Sequence, residues 1–132
     1  MKIIIKGTNT KLSPSINQYI EEKIGVLEKF LKDVDPEIVE ARVEVGKTKH
    51  DQRRGEIYRA EVNLKIGGKI LRVEKTESSL YAAIDLAKDE LSRQVRRDKD
   101  KRSAMFIRGA RSWKKFWKIN PLARFRRPKI ED

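Results

Sequence analysis

The sequence predicts an α+β domain of order β-α-β-β-β-α: a four-stranded, mostly antiparallel sheet with two helices on one face, followed by a basic C-terminal tail. Three observations carry this. A short β-branched run opens the chain, two apolar stripes repeat at three- and four-residue spacing, and three later stretches alternate apolar with polar residues. Helix and strand place side chains with different periods, so a sequence that switches period marks its own elements. Packing two one-sided helices on one side of a one-sided sheet is the simplest way to bury every apolar surface.

"KIIIK" (2–6) is the first strand, closed by the turn-like "GTNT". Ser13 and Pro14 start a helix, since a serine side chain caps a free N–H and proline suits the first helical position. Ile16, Tyr19, Ile20, Ile24, Leu27, Phe30 and Leu31 then form one stripe on a helix ended by "DVDPE" (33–37). In 39–45, Val39, Ala41, Val43 and Val45 alternate with Glu40, Arg42 and Glu44. In 57–66, Tyr58, Ala60, Val62, Leu64 and Ile66 alternate with Ile57, Arg59, Glu61, Asn63 and Lys65. "GG" (67–68) reads as a hairpin turn into a strand with Leu71 and Val73 on one side. The second helix opens at Ser78 or Ser79, with Leu80, Ala83, Ile84, Ala87, Leu91 and Val95 as its stripe. After Ser103 no sustained pattern remains, which divides the chain into a domain (1–102) and a tail (103–132).

The net charge of +12 is unevenly placed. Residues 1–92 hold 17 Lys and Arg against 16 Asp and Glu; residues 93–132 hold 15 against 4, a net of +11. A nearly neutral body with a cationic end points to a polyanion, nucleic acid ahead of an acidic membrane surface. The absence of Cys excludes a disulfide framework and thiolate metal sites, and fits a reducing compartment. No apolar run approaches the roughly 20 residues of a membrane span, and "MKIIIKGTNT" has no signal-peptide cleavage region. A cytoplasmic protein is expected.

Catalytic chemistry finds little support. The lone His50 lies beside Asp51 in the polar loop 46–55, with no nucleophile elbow, phosphate-binding glycine loop or metal-ligand spacing anywhere in the chain. The expectation is a binding protein, not an enzyme, with no cofactor, no metal and no small-molecule substrate. Binding chemistry is richer. Arg93, Arg96, Arg97, Lys99, Lys101 and Arg102 crowd ten residues of the second helix, more than the macrodipole alone would favour at a helix end. Arg93, Arg97 and Lys101 recur every four residues and could track phosphates. Lys23, Lys29 and Lys32 lie among glutamates on the first helix, equally readable as an ordinary mixed surface. Lys47, Lys49, Arg53 and Arg54 are open between a solubilising hairpin and a contact.

Two stretches carry a family resemblance. "SSLYAAIDLAKDELSRQVRRDKDK" (78–101) resembles the second helix of the ribosome hibernation-promoting factors, or ribosome-associated inhibitor proteins. "IKGTNTKLSPSINQYIEEKIGVLEKFL" (5–31) is similar to their first strand and helix, in the same order and spacing. The resemblance covers residues 1–102. It implies a fold like that of a double-stranded-RNA-binding domain. It also implies docking in the decoding region of the small ribosomal subunit, on 16S-type rRNA and neighbouring ribosomal proteins, which blocks transfer RNA and messenger and silences translation in stress or stationary phase. The rRNA contacts it implies are Lys23 and Lys29, then Lys88, Arg93, Arg96, Arg97, Lys99 and Lys101. Tyr81 and Asp85 match the helix signature, and Tyr81 reads as packing near the helix start, not as an RNA contact. The resemblance is to short members of the family, without the domain by which long ones pair ribosomes, and implies a monomer off the ribosome.

The tail matches no family motif. It holds Phe106, Trp113, Phe116, Trp117 and Phe125, five of the nine aromatics, among Arg111, Lys114, Lys115, Lys118, Arg124, Arg126 and Arg127. Trp113, Phe116 and Trp117 are spaced to share one side of a short helix up to Asn120. Three roles compete: completing the domain's own core, lying on a membrane surface, or ordering on RNA with cations on phosphates and aromatics on unpaired bases. The last is favoured. For the whole chain the expected function is ribosome hibernation, and the alternative is a general RNA-binding or RNA-chaperone module.

Overall fold

A computed structural model describes residues 1–48 and 55–119, with 105–119 described by backbone alone. Strand β1 (Lys2–Thr8) is followed by helix α1 (Pro14–Gly25), 3-10 turns at Val26–Phe30 and Pro36–Ile38, strands β2 (Val39–Lys47), β3 (Tyr58–Ile66) and β4 (Lys69–Glu77), and helix α2 (Leu80–Ile119). The sheet order is β1-β2-β3-β4. β1 runs parallel to β2 because α1 crosses over between them, and the other pairs are antiparallel.

The alternating residues are buried as their period requires. Val39, Ala41, Val43 and Val45 of β2, Ala60, Val62, Leu64 and Ile66 of β3, and Val73 of β4 form the covered face of the sheet. Onto it pack Ile20 and Ile24 of α1, Leu27 and Leu31 after it, and Leu80, Ala83, Ile84, Ala87, Leu91 and Val95 of α2. Ser13 caps α1 as expected, accepting from the Ile16 N–H at 3.2 Å, with Pro14 at the first helical position. Gly67 takes φ +62° at the first centre of the hairpin turn, which places glycine where a II′ turn requires it.

Two elements differ from expectation. The first helix does not run unbroken to Leu31 but tightens at Gly25 into the 3-10 turn Val26–Phe30. Glycine followed by a β-branched residue is a weak stretch of helix, and the tighter turn still buries Leu27. The second helix does not stop near Ser103; it continues without a break to Ile119. A helical backbone needs no apolar stripe, Ala, Met, Arg and Lys supply about half of residues 103–119, and no proline interrupts the chain before Pro121. The chain divides into two compact units, Met1–Arg96 and Arg97–Asp132.

Candidate nucleic-acid interface

The two faces of the first unit carry their charge differently. On the open face of the sheet the strand register sets Glu44, Glu61 and Glu74 side by side across β2, β3 and β4. Like charges in such a row repel, and Arg59 offsets this by reaching all three: it donates to Glu44 and, at 2.9 Å, to Glu74, and lies 3.7 Å from Glu61. Burial works against the Arg59 charge, yet its hydrogen bonds to Glu74 and Glu44 outweigh this and raise its pKa. Arg72 also pairs with Glu61, and Arg42 with Glu40 at 3.2 Å. These arginines are engaged by glutamates of the sheet, whereas Lys2, Lys6 and Lys65 on the same face form no ion pair among the described residues.

The helical layer is different. Tyr19 on α1 donates its hydroxyl to Asp85 on α2 at 2.5 Å, and Arg96 on α2 stands 5.8 Å from the Phe30 ring after α1. Both contacts advance by eleven residues on each partner, so the chain runs the same way through the two segments and a seam forms between them. Lys23 sits in that seam, 3.8 Å from Asp85 and 5.3 Å from the Tyr19 ring. Its ammonium is half-exposed, held by a carboxylate on one side and an aromatic face on the other. Tyr81 stacks edge-to-face on Tyr19, with ring centroids 4.8 Å apart, and is itself 42% exposed. The hydrogen bond to Asp85, helped by burial, pushes the Tyr19 phenol up to about 12.

The other expected contacts fall into three groups. Lys29 is exposed beside the Phe30 ring at 5.1 Å, and Arg96 is exposed with its Nε on the Ser92 carbonyl at 3.4 Å. Lys88, Arg93 and Arg102 have acidic neighbours on their own helix: Asp89 at 3.5 Å, Glu90 at 2.6 Å, and the buried Asp98. The Arg93 hydrogen bond pulls the Glu90 carboxyl below its ordinary value. Arg97, Lys99 and Lys101, in the second unit, form no ion pair among the described residues, and Arg97 and Lys101 are exposed. Of the expected row, Arg93 is thus paired, and Arg97 and Lys101 are without an ion pair among the described residues.

Arg111, Trp113, Lys114, Lys115, Trp117 and Lys118 lie on the helical backbone of α2. Arg124, Arg126 and Arg127 lie outside the described residues, as do Lys49, His50, Asp51, Arg53 and Arg54. Lys47 is described and pairs with Glu56 at 3.2 Å. Sequence reasoning missed the seam itself. Its signal was present in Tyr81, Asp85 and Lys88, which follow one another at four- and three-residue steps beside the buried stripe.

Fold and site together define a small α+β domain whose helical layer carries several cations and an exposed aromatic ring. Residues 3–103 match the family described as Sigma 54 modulation protein / S30EA ribosomal protein, and the chain belongs to that family. It is 33% identical over 101 residues to a ribosome hibernation promotion factor of Picosynechococcus sp., covering 76% of this chain and 50% of that one. It is 35% identical over 97 residues to that of Deinococcus radiodurans (72% and 47% covered) and 36% identical over 95 residues to that of Staphylococcus aureus (72% and 46%). The chain thus spans about half the length of these relatives.

Among solved structures, the N-terminal domain of Thermus thermophilus Protein Y superposes with a TM-score of 0.60 at 32% identity, covering 74% of this chain and 98% of that one. A ribosomal subunit interface protein from Coxiella burnetii gives 0.59 at 18% identity, covering 76% and 99%, a likeness of fold.

Proposed function

We propose that this chain is a ribosome hibernation factor, a non-catalytic cytoplasmic protein. In this reading it binds the small ribosomal subunit at the decoding region, blocks the transfer RNA and messenger sites, and silences translation in stress or stationary phase. The observation that carries it is the match over residues 3–103 to a family whose similar members are called ribosome hibernation promotion factors. The distribution of charge supports it. Lys23, Lys29, Arg96, Arg97, Lys99 and Lys101 present cations on the helices, while the open sheet face has its arginines paired. In the tail, Arg111, Lys114, Lys115, Lys118, Arg124, Arg126 and Arg127 add cations for rRNA, and Trp113 and Trp117 add stacking surfaces. No helix of the described residues is long and apolar enough to cross a membrane.

Sedimentation of the purified protein with small subunits through sucrose, at about 50 and 200 mM salt, tests the proposal. Six to ten phosphate contacts alone would lose about 10³–10⁵ in affinity over that range. The expected result is one copy per small subunit, retained at the higher salt by shape-specific contacts. Release at the higher salt, or equal binding to any RNA, would favour a general RNA-binding module.

A further inference from the structure

Tyr81 is an aromatic ring left open to water at a place built to hold it still. It stands on the first turn of α2, next to the buried Leu80, and is 42% exposed. Tyr19 meets it edge-to-face at 85°, and Tyr19 is anchored by its hydroxyl on Asp85. In a T-shaped pair, whichever ring supplies the edge, at least one face of Tyr81 is left uncovered by Tyr19. That ring loses little freedom when something lies on it, which lowers the ordering cost of binding.

Charge narrows what that something is. Lys23 lies in the same cluster, 3.8 Å from Asp85 and 5.3 Å from the Tyr19 ring, and the N–H groups at the start of α2 favour negative charge. An exposed aromatic ring on the first turn of a helix, resting on a Tyr19 that itself has a cation over its ring, matches a nucleotide, with a π-face for the ring and a phosphate for the charge. A base inside a duplex has no free face, so the ligand must be unpaired. We infer that Tyr81 is a stacking platform for one unpaired RNA base, held in place by Tyr19 and Asp85. This rests on the proposed RNA-binding role and assigns it one contact of a different kind from the phosphate contacts of the lysines and arginines.

The test compares wild type with Tyr81→Leu and Tyr81→Phe in equilibrium binding to small ribosomal subunits and, separately, to a short single-stranded oligouridylate across a range of salt. Phe keeps the ring and Leu keeps apolar bulk without it, and thermal unfolding shows whether each variant folds. Loss of one base stack lowers affinity about 5- to 150-fold, so Tyr81→Leu should bind that much more weakly while Tyr81→Phe stays close to wild type. The slope of log affinity against log salt should not change, because every phosphate-facing cation is kept.

Folded Tyr81→Leu that binds as wild type does overturns the inference. So does an equal loss in both variants, or a loss accompanied by a shallower salt slope. Wild type that ignores small subunits sinks the hibernation reading instead. The inference is then decided on the oligouridylate alone, where dependence on the ring upholds it and independence ends it. Binding to neither partner ends both.

Discussion

Asp85 stands where two needs meet: it accepts the Tyr19 hydroxyl and sits beside the Lys23 ammonium. The neutral phenol is the form that can donate, so folding favours the proton on Tyr19 and raises its pKa from an ordinary 10.0 to about 12. In the unfolded chain the phenol ionises first as pH passes about 10, so there the unfolded state binds fewer protons. This contribution is therefore fully present below pH 10 and is lost as pH rises towards 12. Tyr19→Phe removes the donor and the titration together. It should cost about 1 kcal/mol near neutral pH, and the gap to wild type should narrow in urea unfolding repeated at rising pH through that window. A gap that stays constant would show that the hydrogen bond does not couple folding to the Tyr19 proton.

At the scale of elements, two glycines predict opposite outcomes. Gly46 pairs with Thr8 across the parallel β1–β2 ladder, and a Cβ there would collide with the Thr8 carbonyl, 2.9 Å from its carbon. Backbone atoms cannot swing aside as a side-chain end can, so Gly46→Ala should lower the unfolding free energy by about 1–3 kcal/mol. Gly25 has helical dihedrals, φ −60° and ψ −28°, and nothing within 4 Å of an added Cβ. Gly25→Ala should raise stability by about 0.5–1 kcal/mol. Urea titration of both variants reads the two signs, and a destabilised Gly25→Ala would mean that the tightening after α1 depends on glycine.

Neither role was legible in the sequence, where Gly25 lies inside the expected first helix and Gly46 opens the polar loop 46–55. The strands were legible because each alternation has one buried and one wet side, and Val39–Val45 and Ala60–Ile66 follow it residue by residue. The parallel pairing of β1 was not singled out, since alternation along one strand says nothing of its neighbour's direction. The seam escaped for a related reason. Tyr19 and Asp85 are 66 residues apart, and periodicity reports on one helix at a time. The end of α2 was misplaced because an apolar stripe marks only the packed part of a helix, whereas the helical backbone continues to Ile119.

For the whole molecule, the question is what the cationic end contributes. Every residue of the buried core lies between Ile20 and Val95, so the core among the described residues closes without the tail. A chain ending at Ala104 keeps all of them and loses Arg108, Arg111, Lys114, Lys115, Lys118, Arg124, Arg126, Arg127 and Lys129, nine cations, against only Glu131 and Asp132. If the tail serves binding, this truncation should leave the unfolding free energy within about 0.5 kcal/mol of the full chain. Affinity for small subunits should fall, and the salt slope should become shallower by about 0.7–0.9 for each phosphate that the protein no longer neutralises. If the tail's aromatics instead complete the core, stability falls with truncation and the salt slope barely moves. The two readings thus exchange which measurement changes. Paired urea unfolding and salt-dependent binding on the same two proteins separates them, because a core side chain acts through buried apolar area and a phosphate-bound cation through released counterions.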